Sequence, residues 1–95
     1  MKTYEIDFLE EALKEWKKLD AKIRGQFARK LAERVRFPHI PRSRLSGMPS
    51  CYKIKLRSSG FRLVYQVEDD ALIVLVVAVG KRERNEVYRT AARRT

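Results

Sequence analysis

The first third of the chain passes from an alternating to a helical pattern of apolar residues. Apolar and polar positions alternate over Tyr4–Phe8, which predicts a short strand. Two stretches with an apolar residue at every third or fourth position follow, and they contain Leu9, Ala12, Leu13, Trp16 and Leu19, then Ile23, Phe27, Leu31 and Val35. This spacing predicts a hairpin of two helices. We expect Asp7 and Glu10 to form a capping box for the first helix, Asp20 to cap the second, and Phe37-Pro38 to end it.

The second half of the chain contains three segments with the pattern of strands. They are Cys51–Leu56, Phe61–Val67 and Ala71–Val79. The links between them, residues 57–60 and 68–70, are short and rich in turn-forming residues, which predicts an antiparallel meander. The third segment is apolar on both faces, so we expect it to be central and covered on each side. The proline-rich stretch 38–49 predicts an extended loop with a short edge strand near Arg44–Leu45, and residues 81–95 are expected to be partly helical.

Together these elements predict one α+β domain over residues 1–95. An N-terminal strand and an α-hairpin pack on one face of an antiparallel sheet, and a basic C-terminal segment follows. The single cysteine, Cys51, excludes an internal disulfide, suits a reducing compartment and is expected at the edge of the core. The first residues lack the apolar stretch of a signal peptide, and the longest apolar run has nine residues. We therefore expect a cytoplasmic protein with no membrane partner.

The charge of the chain is strongly unbalanced. Lys and Arg number 22 against 12 Asp and Glu, which gives a net charge of +10. No acidic residue lies between Glu33 and Glu68. An excess of this kind favours an anionic partner, of which nucleic acid is the first to consider. The alternative for any single basic run is a solvated, charged surface without a ligand.

Two cations are predicted to face each other across the first hairpin of the meander. Side chains alternate across a strand, so a hairpin that pairs Leu56 with Phe61 places Lys55 opposite Arg62, on the face away from the helical hairpin. Lys53 then lies one step along the same face, opposite Val64. Like charges directly opposite each other on a sheet repel. A solvated basic face does not readily account for this pair, whereas an anion bound between the two cations does.

Further candidates follow the last predicted strand. Arg82 comes directly after the strand end and could converge on the same face, and Arg84 is the weaker candidate of the two. Tyr88 lies beyond them. A tyrosine at such a position is either a partly buried aromatic with a solvated hydroxyl, or a ring that stacks on a base or donates to a phosphate.

Several catalytic chemistries are excluded by what the chain lacks. The only histidine is His39, in the proline-rich loop, so a nuclease with a histidine acid and a histidine base is excluded. No cluster of metal ligands, glycine-rich phosphate loop or Ser-His-Asp arrangement is present, so neither a metal nor a cofactor is predicted. Lys, Arg and Tyr must then carry any cleavage. This is sufficient for RNA, because its 2′-OH attacks the adjacent phosphate and the protein need only align the ribose, neutralise charge and move two protons.

Long motifs in the chain resemble those of a known family. The segments GMPSCYKIKLRSSGFRLVYQV, VGKRERNEVY and DFLEEALKEWKKL together resemble the RelE toxins of the wider RelE/ParE superfamily over nearly the whole chain. The resemblance implies an mRNA interferase that enters the A site of the 70S ribosome and cuts the mRNA codon there, leaving a 2′,3′-cyclic phosphate and a 5′-OH. It also implies a RelB-like antitoxin, with which the toxin represses its own operon, so that operator DNA is contacted only through the complex.

The resemblance assigns roles by motif position. It makes Lys55 a general base, Lys53 a stabiliser of the transition state and Arg62 a phosphate clamp. Arg82 supports charge stabilisation or acid catalysis, and Tyr88 stacks on or orients the mRNA; which residue is the general acid stays open. The expected contacts to RNA or the ribosome are Arg42, Arg44, Arg57, Lys81 and Arg84. Relatives often carry a basic residue before Gly-Met-Pro, where this chain has Ser46, so that contact is expected to be weaker or moved to Arg44.

Two other functions remain open. A ParE-like inhibitor of DNA gyrase shares the fold but generally lacks the full set of YKIK, FR, KR and Y motifs present here. A non-catalytic RNA-binding module accounts for the charge and for salt-sensitive affinity, but not for the opposed cations.

Overall fold

The computed structural model describes residues 3–81, 83 and 85–95, and it forms a four-stranded sheet with helices on both faces. In chain order the elements are β1 (Glu5–Phe8), α1 (Glu10–Lys17), α2 (Ala21–Arg34), a 3₁₀ turn (Pro41–Ser43), β2 (Cys51–Leu56), β3 (Phe61–Glu68), β4 (Ile73–Lys81) and α3 (Glu86–Arg94). The strand order is β1-β4-β3-β2. The predicted meander of β2, β3 and β4 and the central position of β4 are confirmed. The predicted edge strand near Arg44 is a single bridge to Tyr52.

The α+β architecture is confirmed, and the sheet is mixed because β1 does not pack on the antiparallel meander but joins it as a fourth, parallel strand. Strand β1 runs parallel to β4, with Glu5 beside Ile73 and Phe8 beside Val76. Its direction follows from its first contacts, because the Tyr4 amide donates to the Val35 carbonyl at the end of α2 and the Glu5 amide donates to the Leu72 carbonyl at the start of β4. A parallel pair requires a long crossover, and the helical hairpin with the rest of the meander provides one.

Helices α1 and α2 cover one face of the sheet, as predicted. Their buried residues, among them Ala12, Phe27 and Leu31, pack against Ile54, Leu63, Tyr65, Val74 and Val76. Asp20 caps α2 by accepting a hydrogen bond of 2.9 Å from the Ile23 amide. The expected capping box of Asp7 and Glu10 does not form. The Leu9 amide still bonds the Val76 carbonyl, so the chain stays extended through Leu9, which becomes the N-cap of α1.

Helix α3 packs on the opposite face of the sheet. Val87 and Ala91 contact a second buried cluster that includes Cys51, Val64 and Val77. A Cβ at Gly80 would lie 3.2 Å from the Val87 side chain, so α3 approaches β4 closely there. The face that carries Lys55 and Arg62 therefore lies away from α1 and α2, as predicted, and α3 packs on this face.

A β-bulge in β4 changes which residues share a face. Val64 pairs with Ala78 and Tyr65 with Val76, so Val77 is an extra residue on β4. Val77 and Ala78 consequently both face α3. Beyond the bulge, Gly80 lies on the same face as Arg62. Strand β4 also begins two residues later than predicted, at Ile73, because Leu72 adopts a left-handed turn conformation with φ of 56°.

Candidate functional site

The predicted pair of opposed cations is present in the sheet. Lys55 of β2 pairs directly with Arg62 of β3, and Lys53 pairs with Val64 one step along, in the predicted register. The register follows from the hairpin turn, where the Gly60 amide donates to the Leu56 carbonyl and Gly60 takes a φ of 79° that favours glycine. Lys53, Lys55 and Arg62 therefore lie on the face that carries α3.

Arg62 is the one charged side chain that is buried in the described part of the chain, with 7% of its surface exposed. Its Nη1 donates to the carbonyl of the preceding residue, Phe61, at 3.1 Å. No carboxylate in residues 3–81, 83 and 85–95 forms an ion pair with it. A guanidinium has five N–H donors, and burying it without a counter-charge is costly. Arg62 is therefore a site at which an anion would be strongly favoured.

Arg62 has a cation beside it on one neighbouring strand and a glycine on the other. Arg62 pairs with Lys55 on β2 and with Gly80 on β4. Because Gly80 has no side chain, Val87 of α3 occupies the space above it. The guanidinium of Arg62 thus lies between Lys55 of β2 and Val87 in the first turn of α3.

Tyr88 lies on α3 and packs against the cluster of Cys51, Val64 and Ala91 on the same face as Arg62. Its ring is partly exposed, but its hydroxyl is buried and has no hydrogen-bond partner within the described residues. An orphaned buried hydroxyl requires an explanation, such as a ligand that arrives at the site. The ring is partly buried, as the first interpretation expects, but the hydroxyl is not solvated, so that part of the prediction is wrong. The second interpretation, an orientation of RNA by Tyr88, stays a prediction.

The remaining predicted contacts are spread over the molecule. Arg44 is exposed beside Tyr52 at the outer edge of β2, and Arg42 is exposed in the 3₁₀ turn. Lys81 does not join Arg62, because after the bulge its ammonium lies 5.9 Å from the centroid of the Phe61 ring, which packs on the α1–α2 side. Arg57 lies in the hairpin turn and faces a groove beside α2. Arg82 and Arg84 lie outside the described residues.

Other chemistry-bearing groups lie apart from this face or are inert. His39 bonds Asp69 at 2.8 Å, and the hydroxyl of Tyr4 donates to the same carboxylate, at the far end of the sheet from Arg62. Among the residues that the structure describes, no three His, Cys, Asp or Glu side chains gather as metal ligands. Cys51 is fully buried, and burial raises the pKa of its thiol, as expected of a core residue and not of a nucleophile.

Two residues that were not predicted from the sequence hold α3 against the sheet. Glu15 on α1 and Arg94 at the end of α3 form an ion pair of 2.9 Å. They are 79 positions apart, and nothing local in the sequence indicates their contact. Through them the helix that carries Tyr88 is attached to the sheet at its C-terminal end.

The fold and the site define a small α+β protein with a basic sheet face beside a C-terminal helix. The sequence profile of the family described as "ParE toxin of type II toxin-antitoxin system, parDE" matches residues 6–86. The chain belongs to this RelE/ParE family of toxins. It is 60% identical over 91 residues to a putative RelE-like toxin protein of Escherichia coli, and 57% identical over 91 residues to the mRNA interferase toxin RelE of E. coli strain K12. Each match covers 96% of both chains.

Solved structures of relatives have the same fold. The free state of a mutant of E. coli RelE matches with a TM-score of 0.90 at 54% identity, over 97% of both chains. RelE in the intact E. coli RelBE toxin–antitoxin complex matches with a TM-score of 0.82 at 57% identity, over 85% of this chain and 99% of that one. No helix in the described residues has both the length and the apolar character needed to cross a bilayer.

Proposed function

We propose that this protein is the toxin of a type II toxin–antitoxin pair and acts as an endoribonuclease on mRNA. The observation that carries the proposal is Arg62, a buried guanidinium with no described carboxylate partner, placed directly opposite Lys55. A phosphate that is cleaved passes through a more highly charged state, and fixed cations at that position stabilise it. Close relatives that bear the name mRNA interferase support the assignment.

The reaction proposed for the site uses the 2′-OH of the substrate as nucleophile. Lys55 removes its proton, and the oxygen attacks the adjacent phosphorus while the bond to the 5′-oxygen breaks, which leaves a 2′,3′-cyclic phosphate and a 5′-OH. Arg62 and Lys53 neutralise the equatorial oxygens of the phosphorane. Tyr88 orients the RNA, with its ring or with the hydroxyl that lacks a described partner. Arg82 assists in charge stabilisation or protonation of the leaving group, a role that rests on the family resemblance.

The proposed partners follow from the family. A RelB-like antitoxin binds and neutralises the toxin, by analogy with the RelBE complex of E. coli. The substrate is mRNA held in the A site of the 70S ribosome, and the toxin contacts operator DNA only within the antitoxin complex that represses the operon. We expect this reaction to take place in the cytoplasm without a metal or a cofactor.

The test is to express the protein without an antitoxin and to map new 5′ ends on a translated message by primer extension. We expect the unsubstituted protein to cut within codons, and Lys55→Ala and Arg62→Ala to lower cutting at least about 100-fold because charge stabilisation is lost. Lys22→Ala, which removes an exposed charge at the start of α2, is the matched control. If both site variants, folded by circular dichroism, cut as well as the control, the assigned site is wrong.

A second candidate is a ParE-like inhibitor of DNA gyrase, because the matching family profile carries the ParE description. Pulse labelling after induction separates the two functions. An mRNA endonuclease stops amino-acid incorporation first, whereas a gyrase inhibitor stops thymidine incorporation first and leaves no new mRNA ends. A non-catalytic RNA-binding module would likewise leave no new ends.

A further inference from the structure

One strand position beside Arg62 carries no side chain. Gly80 of β4 is the direct partner of Arg62 of β3, because β4 contains a bulge at Val77. Without the extra residue of the bulge, the regular register of the two strands would place Val79 opposite Arg62. The bulge therefore places a glycine, and not a branched side chain, next to the buried arginine.

The space above Gly80 is filled by a side chain of α3. A Cβ added at Gly80 would lie 3.2 Å from Cγ2 of Val87, which is tighter than most contacts of a real Cβ atom. Val87 is buried, and a β-branched side chain in a helix has one strongly preferred rotamer, so Val87 cannot readily turn aside. A side chain at position 80 would therefore displace the first turn of α3 from the sheet.

The backbone at Gly80 does not itself require a glycine. Gly80 lies within β4 and does not have a positive φ, unlike Gly47 and Gly60 in the turns. Alanine adopts the extended conformation of a strand without strain. The effect of a side chain at position 80 would therefore come from its contact with Val87.

The first turn of α3 also carries Tyr88. Tyr88 follows Val87 directly and packs against the buried cluster that contains Val64, which is the cross-strand partner of Lys53. The other end of α3 is fixed by the ion pair of Arg94. A displacement at Val87 would therefore tilt the helix, and the distance of Tyr88 from the sheet would change with it.

We propose that Gly80 is a positioning residue for the cleavage of mRNA. Because Gly80 has no side chain, Val87 lies against β4, and this contact holds Tyr88 at the distance from Lys53 and Arg62 that the bound RNA requires. The inference rests on the proposed function and extends it to a residue that acts only through α3. Gly80 thereby contributes to the rate of the reaction without a contact to the RNA.

The test measures kcat and KM for the cleavage of a message bound to 70S ribosomes. We expect Gly80→Ala to lower kcat about 10-fold and to leave KM within about twofold, because the helix is displaced while the cations stay in place. The double variant Gly80→Ala/Val87→Ala lacks the methyl group that the new Cβ would meet, so its kcat should return to within about threefold of that of the unsubstituted protein.

Two further variants separate positioning from stability. Gly25→Ala is the matched control, because it adds the same methyl group in α2, where nothing lies within 4 Å, and it should change kcat less than about twofold. Val87→Ala leaves a cavity under α3. It should lower the urea midpoint of unfolding more than Gly80→Ala does, yet lower kcat less. The order of the two variants in kcat is then opposite to their order in stability.

Several outcomes would overturn the role of Gly80. They are a Gly80→Ala variant that cleaves as fast as the unsubstituted protein, a double variant that is no faster than Gly80→Ala, and a Gly80→Ala variant that does not fold, which would make the glycine structural. In each of these cases the unsubstituted protein still cleaves, so the proposed function stands. If the unsubstituted protein leaves no new 5′ ends on the message, the proposed function fails and the role of Gly80 fails with it.

Discussion

The side chains of Glu15 and Arg94 replace a missing strand at the edge of β4. Strand β1 accompanies β4 only as far as Val76. Beyond it, Arg94 Nη1 donates to the Val77 carbonyl at 2.8 Å, and the Val79 amide donates to Glu15 Oε1 at 3.0 Å. The two side chains also bond each other, Nη1 to Oε1 at 3.0 Å and Nη2 to Oε2 at 2.9 Å. One ion pair thus satisfies the open edge and ties α1 to α3.

Removal of Arg94 should destabilise the protein. Arg94 is 15% exposed at its side chain, and its loss removes the guanidinium donors of the Val77 carbonyl and the Glu15 carboxylate, which keeps only the Val79 amide at Oε1. We expect Arg94→Ala to lower the free energy of unfolding by about 2–3 kcal/mol in urea titrations. Arg93→Ala, which loses only an exposed bond to Thr90, should change it by less than about 0.5 kcal/mol. Equal effects of the two substitutions would show that the ion pair is not stabilising.

The same ion pair should affect cleavage only through Tyr88. Arg94 holds the end of the helix that carries Tyr88, and a displacement of about 1 Å in a reacting group can lower a rate up to about 100-fold. We expect Arg94→Ala to reduce the rate of mRNA cleavage about 10-fold, with little change in ribosome binding. In a Tyr88→Ala background, Arg94→Ala should have no further effect on cleavage and should still lower stability. Additive losses of cleavage would indicate an effect independent of Tyr88.

Arg62 should be costly for the fold, in contrast to Arg34. Arg62→Met replaces a buried cation, which pairs with no carboxylate among the described residues, with an apolar chain of similar length. We therefore expect it to raise the free energy of unfolding by about 1 kcal/mol and to abolish cleavage. Arg34 donates to the Tyr65 hydroxyl at 2.7 Å, so Arg34→Met should be destabilising by about 1–2 kcal/mol. Thermal and urea unfolding of the two variants measure the difference. A marked loss of stability in Arg62→Met would mean that Arg62 is structural.

Cys51 should make stability fall as the pH rises above about 8.5. Burial raises the pKa of its thiol, and a weaker hydrogen bond to Thr95 opposes the shift. Above the pKa of the unfolded chain, the unfolded state has lost the thiol proton while the folded state keeps it, so the unfolded state binds fewer protons and stability declines by up to about 1.4 kcal/mol per pH unit. This contribution is fully present below that pKa and is lost as the pH rises through the folded pKa.

The measurement for Cys51 is a series of urea titrations between pH 8 and 10 under reducing conditions. Cys51→Ala should be less stable at pH 8 because of the cavity, and its stability should fall less steeply with pH. Burial also raises the pKa of Tyr65, but that residue is common to both proteins and titrates at higher pH. Parallel slopes for the two proteins would contradict the assignment, as would rapid alkylation of the native thiol.

Patterns of neighbouring residues were sufficient to predict most helices and strands and the pairing of two cations of the proposed site. Alternation of side chains and a four-residue turn with Gly60 determine the pairing of Lys55 with Arg62, because a shift by one residue would expose Leu56 and Leu63 and bury the charges. Asp20 caps α2 through a contact only three residues away. Such features depend on neighbours in the chain, so the amino-acid sequence alone determines them.

Contacts between segments that are distant in the sequence determined the direction of β1, the faces of the residues at the end of β4 and the position of α3. The direction of β1 depends on bonds to Val35 and Leu72, the faces of Gly80 and Lys81 depend on a bulge at Val77, and the position of Tyr88 depends on the pairing of Glu15 with Arg94. None of these has a local signature, because each arises from the competition of several segments for the same open edge or face of β4. The sequence by itself therefore determined that Lys55 and Arg62 pair on one face of the sheet. Only the tertiary structure decided that α3 packs on this face.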